Sequence, residues 1–142
     1  MFRKILVAID GSEPASHALD AALDEARVRS AEVHVVYVVE SGLFSSLPMD
    51  NTLEIIYSVL QKEGEEILES AKKKADAKNI PLTTHILQGH AGSRIISLAE
   101  ELGVDLIILG SYGKSGVDRL LLGSVTDYVV QNSPVTTLVV RS

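Results

Sequence analysis

Between positions 110 and 124 the chain reads Gly-Ser-Tyr-Gly-Lys-Ser-Gly-Val-Asp-Arg-Leu-Leu-Leu-Gly-Ser, with glycines at 110, 113, 116 and 123. Residues of this type and spacing suit chemistry on an anion. Glycine lets a backbone approach a ligand closely and serine adds a hydroxyl donor. The segment follows the apolar run Asp105-Leu-Ile-Ile-Leu109 and leads into a helical pattern. A strand, a glycine-rich loop and a helix N-terminus together aim several N–H groups at one point, the arrangement that cradles phosphate.

Other chemistries fit less well. A Walker loop needs four residues between its first glycine and the Gly-Lys-Ser/Thr, whereas Gly110 and Gly113-Lys114-Ser115 are separated by two. Lys114 and Arg119 therefore read as exposed loop charge. No strand is followed by Gly-x-Gly-x-x-Gly, so the dinucleotide fingerprint is missing. The histidines at 17, 34, 85 and 90 lack metal-ligand spacing and read as surface or satisfied positions. His90, after Gly89 at the end of a strand, is the one on the ligand side. Asp10 follows the first strand and has two readings, a ligand contact or an Asx turn. Ser12 is the better cap for the next helix, which favours the ligand role for Asp10. The Lys72–Lys74 run and the acidic stretch Glu63–Glu69 read as a solvated helix face.

These residues need elements to position them. Five apolar runs rich in β-branched residues, Lys4–Ile9, Glu32–Val39, Leu82–Leu87, Asp105–Leu109 and Thr136–Val140, read as strands. Near-continuous apolarity is the mark of strands covered on both faces. Helices are predicted over Glu13–Arg29, Asp50–Lys78 and Ser93–Leu102, with a fourth from Gly123 to Asn132. Ser12 caps the first and Gly103 ends the third. Gly64 inside the second helix marks a kink or a close contact, and Ser41–Met49 reads as a flexible loop. The order β-α-β-α-β-α-β-α-β predicts an α/β doubly wound fold, Rossmann-like, in which four helices flank a five-stranded parallel sheet within one domain over 1–142. If the first strand lies beside the fourth, Asp10 and Gly110 face each other where strand order reverses.

Composition sets the bounds. Apolar residues make up 46% and charged residues 23%, the balance of a globular chain. A net charge of −6 argues against general nucleic-acid binding. There are no cysteines, so disulfides and thiolate metal sites are excluded. The N-terminal run reads as a strand and not a signal peptide, and no stretch is long enough to span a bilayer. A cytoplasmic protein without membrane contact is expected.

The pattern Gly110-x2-Gly113-x9-Gly123-Ser124, preceded by Ile5-Leu-Val-Ala-Ile-Asp10-Gly-Ser12 and closed by Thr137-Leu-Val-Val-Arg141, resembles the universal stress protein family. The similarity runs the length of the chain. It implies a fold of the adenine nucleotide α-hydrolase type and the family's ATP-binding branch. It also implies roles for particular residues. Asp10 contacts the ribose and helps hold Mg2+ or Mn2+, and Ala8 and Ile9 line the base and sugar pocket. Val38 meets the adenine edge through its backbone, and Leu109 lies close to the nucleotide. Gly110, Gly113, Gly123 and Ser124 wrap the phosphates, with the Val125 amide behind them. A homodimer joined through the last strand is also implied, and that strand reads as an apolar sheet edge open to pairing. The resulting expectation is a regulatory ATP-binding protein of the stress response. A slow or partner-dependent ATP hydrolase on the same pocket is the alternative. A response-regulator switch lacks its acceptor, because the third strand ends Leu87-Gln-Gly-His90 with no carboxylate.

Overall fold

Ile5, Leu6 and Val7 have no exposed surface. Successive side chains of a strand point to opposite faces, so a strand this apolar must be covered twice. In the computed structural model, which describes residues 2–41, 51–113 and 122–141, it is. Ile5 and Val7 join one core with Ala18, Leu19, Ala22, Leu23, Leu68 and Ala75. Leu6 joins the other with Ile95, Leu98, Ala99 and Val129.

The elements are β1 (Lys4–Ala8), α1 (Glu13–Arg29), β2 (Glu32–Glu40), α2 (Asn51–Ala77), β3 (Leu82–Gly89), α3 (Ala91–Leu102), β4 (Leu106–Gly110), α4 (Ser124–Asn132) and β5 (Thr137–Val140). The sheet order is β3-β2-β1-β4-β5, and every pair is parallel. α1 and α2 cover one face, α3 and α4 the other. The fold is therefore the expected α/β arrangement of five parallel strands and four helices. β1 is the central strand, and strand order reverses between β1 and β4, where α/β sheets open a ligand crevice.

Local chemistry explains the element ends. Ser12 caps α1 by accepting from Ala15 N–H, and Pro14 sits in the first turn, where no N–H is needed. Ser30, in the left-handed region, ends the helix. Gly64 is the close contact: a Cβ there would lie 2.4 Å from the Tyr37 ring, so α2 passes directly over β2. α3 begins two residues earlier than the apolar period suggests. Its cap is His90, whose Nδ1 accepts from Ser93 N–H, and histidine is outside the usual set of capping residues. β2 and β3 run on to Glu40 and Gly89, because their ladder continues past the last apolar residue. Asp105 is not part of β4; its carboxylate accepts the Arg3 and Lys4 N–H groups and anchors the start of β1. The expected loop over 41–49 lies outside the described residues except for Ser41, as does the expected helix start at Asp50. No described helix is long and apolar enough to cross a membrane.

Candidate functional site

A cavity of about 700 Å³ opens at the carboxyl ends of the strands, on the α3/α4 face. That lies within the usual ligand-pocket range of about 300–1,000 Å³. Ala8, Ile9, Asp10, Val38, Leu109, Gly110, Gly113, Gly123, Ser124 and Val125 all line it. The structure thus brings together residues separated by more than a hundred positions in the chain, through the β1–β4 junction. Lys114, Gly116 and Arg119 lie outside the described residues.

The wall built from β4 and α4 is wrapped tightly. Gly123 N–H donates to Ser111 C=O at 2.8 Å. The buried Thr126 hydroxyl donates to Gly110 C=O at 2.7 Å, which pins the first turn of α4 to the end of β4. A Cβ on Gly123 would come within 3.1 Å of Tyr112 Cα. Gly123 is the N-cap residue of α4 and supplies no side-chain cap, so the first-turn amides meet no capping oxygen from it. They carry the positive end of the helix dipole.

Asp10 sits across the crevice. Its Oδ1 accepts from Ser12 N–H at 2.9 Å, an Asx turn. Ser12 therefore caps α1 without releasing Asp10 from a local role: the Asx-turn reading of Asp10 is what the structure shows. Oδ2 points the other way: a Cβ on Gly113 would lie 2.7 Å from it. Only glycine at 113 leaves Asp10 in place. Gly110 has a structural reason of its own, since a Cβ would lie 2.7 Å from the Pro14 backbone carbon. It lines the cavity and also lets α1 dock on β4.

On the β2 side the paired ladder with β1 ends at Ala8↔Val36, followed by Ile9 N–H on Val36 C=O. Backbone groups alternate sides along a strand, so Val38 directs its N–H and C=O toward β1, past the end of that ladder. Sequence reasoning missed Glu40. It stands two residues beyond Val38 and so on the same strand face, a period-two signal that could have found it. Its Oε2 accepts from Ala91 N–H at 2.9 Å, and it lines the cavity together with His90 and Tyr112. Thr126 carried no legible signal, because its role depends on where Gly110 C=O falls.

A histidine pair on β2 and β3 stands outside the cavity lining. His34 Nδ1 is 2.9 Å from His85 Nε2, and its Nε2 is 2.5 Å from Glu32 Oε2. The hydrogen bond to His34 holds the Glu32 carboxyl below its usual range. Burial, then the neighbouring His34, push His85 down. These are satisfied histidines, as expected. Among the described residues no cluster of three or more His, Cys, Asp or Glu is placed to hold a metal ion.

With this geometry established, likeness to known proteins becomes informative. The model of the universal stress protein family matches residues 1–141. The chain belongs to the universal stress protein family. It is similar to universal stress protein MJ0531 of Methanocaldococcus jannaschii, at 36% identity over 99% of this chain and 83% of that one. Among solved structures it is similar to protein MJ0577 of the same organism, at 31% identity and a TM-score of 0.88, covering 100% of this chain and 97% of that one. It is also similar to a universal stress protein solved in complex with cAMP, at 25% identity and a TM-score of 0.70, covering 99% and 97%. In this universal stress protein, Gly110, Gly113 and Gly123 thus line the same crevice as Asp10.

Proposed function

We propose that this protein binds ATP in the switch-point cavity and acts as a nucleotide-holding regulator in the stress response. One observation carries the reading: Asp10 Oδ2 and the Gly113 backbone meet so closely that a Cβ would fill the gap, beside an α4 N-terminus with no side-chain cap. The phosphates sit on the amides of Gly123, Ser124 and Val125 and along Gly110 and Gly113. The ribose sits at Asp10. The base lies over Ala8, Ile9, Val38 and Leu109, with the Val38 backbone at its edge. The relative solved with cAMP supports an adenine nucleotide. Mg2+ or Mn2+ would be shared between Asp10 and the phosphates. A cytoplasmic location goes with this reading.

The assembly proposed with it is a homodimer paired through β5. This strand ends the sheet, and Leu138 on it is exposed, so its edge can template a second copy.

Calorimetric titration with ATP and magnesium tests the ligand. Saturable binding that is lost in Gly113→Val and Gly123→Val is expected. An intact, folded protein with no affinity for ATP would sink the proposal. A monomer by light scattering at working concentration would remove the dimer.

A further inference from the structure

We infer that Thr126 positions the seat of the phosphates. Its hydroxyl covers the Gly110 carbonyl, an acceptor that would otherwise face the crevice, and holds the first turn of α4 in place. This rests on the nucleotide reading above and names what lets the α4 end of the cavity receive an anion.

Beneath that seat the chain leaves β4 through two carbonyls, those of Gly110 and Ser111. Backbone groups alternate sides along a strand. Ile107 N–H and Ser111 N–H both donate toward β5, to Thr136 C=O and Val140 C=O, so the groups of Gly110 point the other way, toward β1. The β1–β4 ladder has already ended there, at Val7↔Ile108. Gly110 C=O thus lies beyond the last paired rung, where the sheet opens, and Gly110 lines the cavity. A bare carbonyl at this point would be unfavourable twice over. A buried acceptor without a donor is costly in itself, and its negative end would oppose a phosphate.

Thr126 removes both problems. It is buried, it lines the cavity, and it is the third residue of α4. Its hydroxyl donates to Gly110 C=O at 2.7 Å. A hydroxyl has one hydrogen, and here the carbonyl takes it. Thr126 therefore acts on the ligand through Gly110 and α4, as a positioning residue. The neighbouring carbonyl, of Ser111, accepts from Gly123 N–H at 2.8 Å. These two bonds tie both ends of one helical turn to consecutive residues at the end of β4, which leaves the turn little freedom to rotate. Within that turn the amides of Ser124, Val125 and Thr126 precede the first helical bond, Asp127 N–H to Gly123 C=O. Of the two ties, the one from Thr126 is made by a side chain and can be removed without touching the backbone.

The test compares ATP with adenosine on the wild type, Thr126→Val and Thr126→Ser, by competition against labelled ATP. Valine keeps the shape and loses the hydroxyl; serine keeps the hydroxyl. In Thr126→Val, ATP affinity is expected to fall about tenfold while adenosine, which has no phosphate, stays within about twofold of the wild type. Thr126→Ser should keep most of the ATP affinity. If Thr126 only holds the fold together, ATP and adenosine weaken in step, or neither changes while the melting temperature falls, and the proposal is overturned. The second readout is the NMR signal of the Gly110 carbonyl carbon, which reports the hydrogen bond on its oxygen. It is expected to stay in place when the wild type is saturated with ATP. An upfield shift on ATP addition, as loss of that bond produces, means that the hydroxyl leaves Gly110 for the phosphate. Thr126 is then a direct ligand contact, and the proposal fails. This wild-type arm decides alone if Thr126→Val does not fold. A folded wild type that binds no ATP overturns the nucleotide reading as well.

Discussion

Two helices point their N-termini at the same cavity, and they are finished differently. α3 is capped twice: His90 Nδ1 takes Ser93 N–H and Glu40 takes Ala91 N–H. α4 begins at Gly123, which supplies no side-chain cap. The first-turn amides of a helix seek an acceptor. The α3 terminus supplies its own and presents a carboxylate to the cavity, while the cap residue of α4 offers its amides none. Fold alone would make the two ends equivalent; capping gives the cavity a direction.

The largest effect should come from closing the α4 side. Gly113→Val drives a side chain onto Asp10 Oδ2 and is expected to weaken ATP binding at least tenfold, about 1.4 kcal/mol or more. Calorimetry on the folded variant reads this, and unchanged affinity would mean that the crevice is not the site. Next, α4 can be given the cap that α3 has. Gly123→Asp and Gly123→Ala add the same crowding against Tyr112, but only Asp brings a carboxylate to the first-turn amides. Binding in Asp should fall well below binding in Ala; equal losses would show that the amides do not hold the phosphates. In the opposite sense, His90→Ala uncaps α3. It should lower stability by about 1 kcal/mol in a denaturant melt and, if phosphate is read at α4 as proposed, leave the preference for ATP over ADP unchanged.

The smallest effect concerns the Glu32–His34–His85 cluster, which does not line the cavity and serves as the control. His85 is depressed, so the unfolded chain takes up that proton before the folded one does. Its contribution is complete above the ordinary histidine value of 6.5 and is lost as pH falls below it. Glu32 is also lowered, so its contribution is lost as pH falls through and below the ordinary value of 4.5. Melting temperatures should therefore drop between pH 7.5 and 5, and His85→Gln should flatten the upper part of that fall. A fall equally steep in the variant would place the acid sensitivity elsewhere. Nucleotide affinity at neutral pH should be the same in His85→Gln and in the wild type.

Cluster and cavity together show what a titratable group does and does not signify. Glu32, His34 and His85 are linked by hydrogen bonds, yet none of them lines the cavity. The cavity is marked by where backbone leaves space, at Gly113 and Gly123.

Periodicity and composition alone carried the order of the elements, the burial of β1, the bounds of α1 and the glycine spacing, because those signals are local in the chain. Ser12, Pro14 and Gly103 marked helix ends through capping chemistry that acts within a few residues. Only tertiary structure decided that β1 lies between β2 and β4, which is what sets Asp10 opposite Gly113. It also decided that Gly110 serves α1 as well as the cavity, that Gly64 makes room for Tyr37, and that Glu40 faces inward beside α3. Each of these depends on contacts between residues far apart in sequence. A glycine that must stay bare and a carboxylate that lines a cavity look like any other until the neighbouring strand is in place.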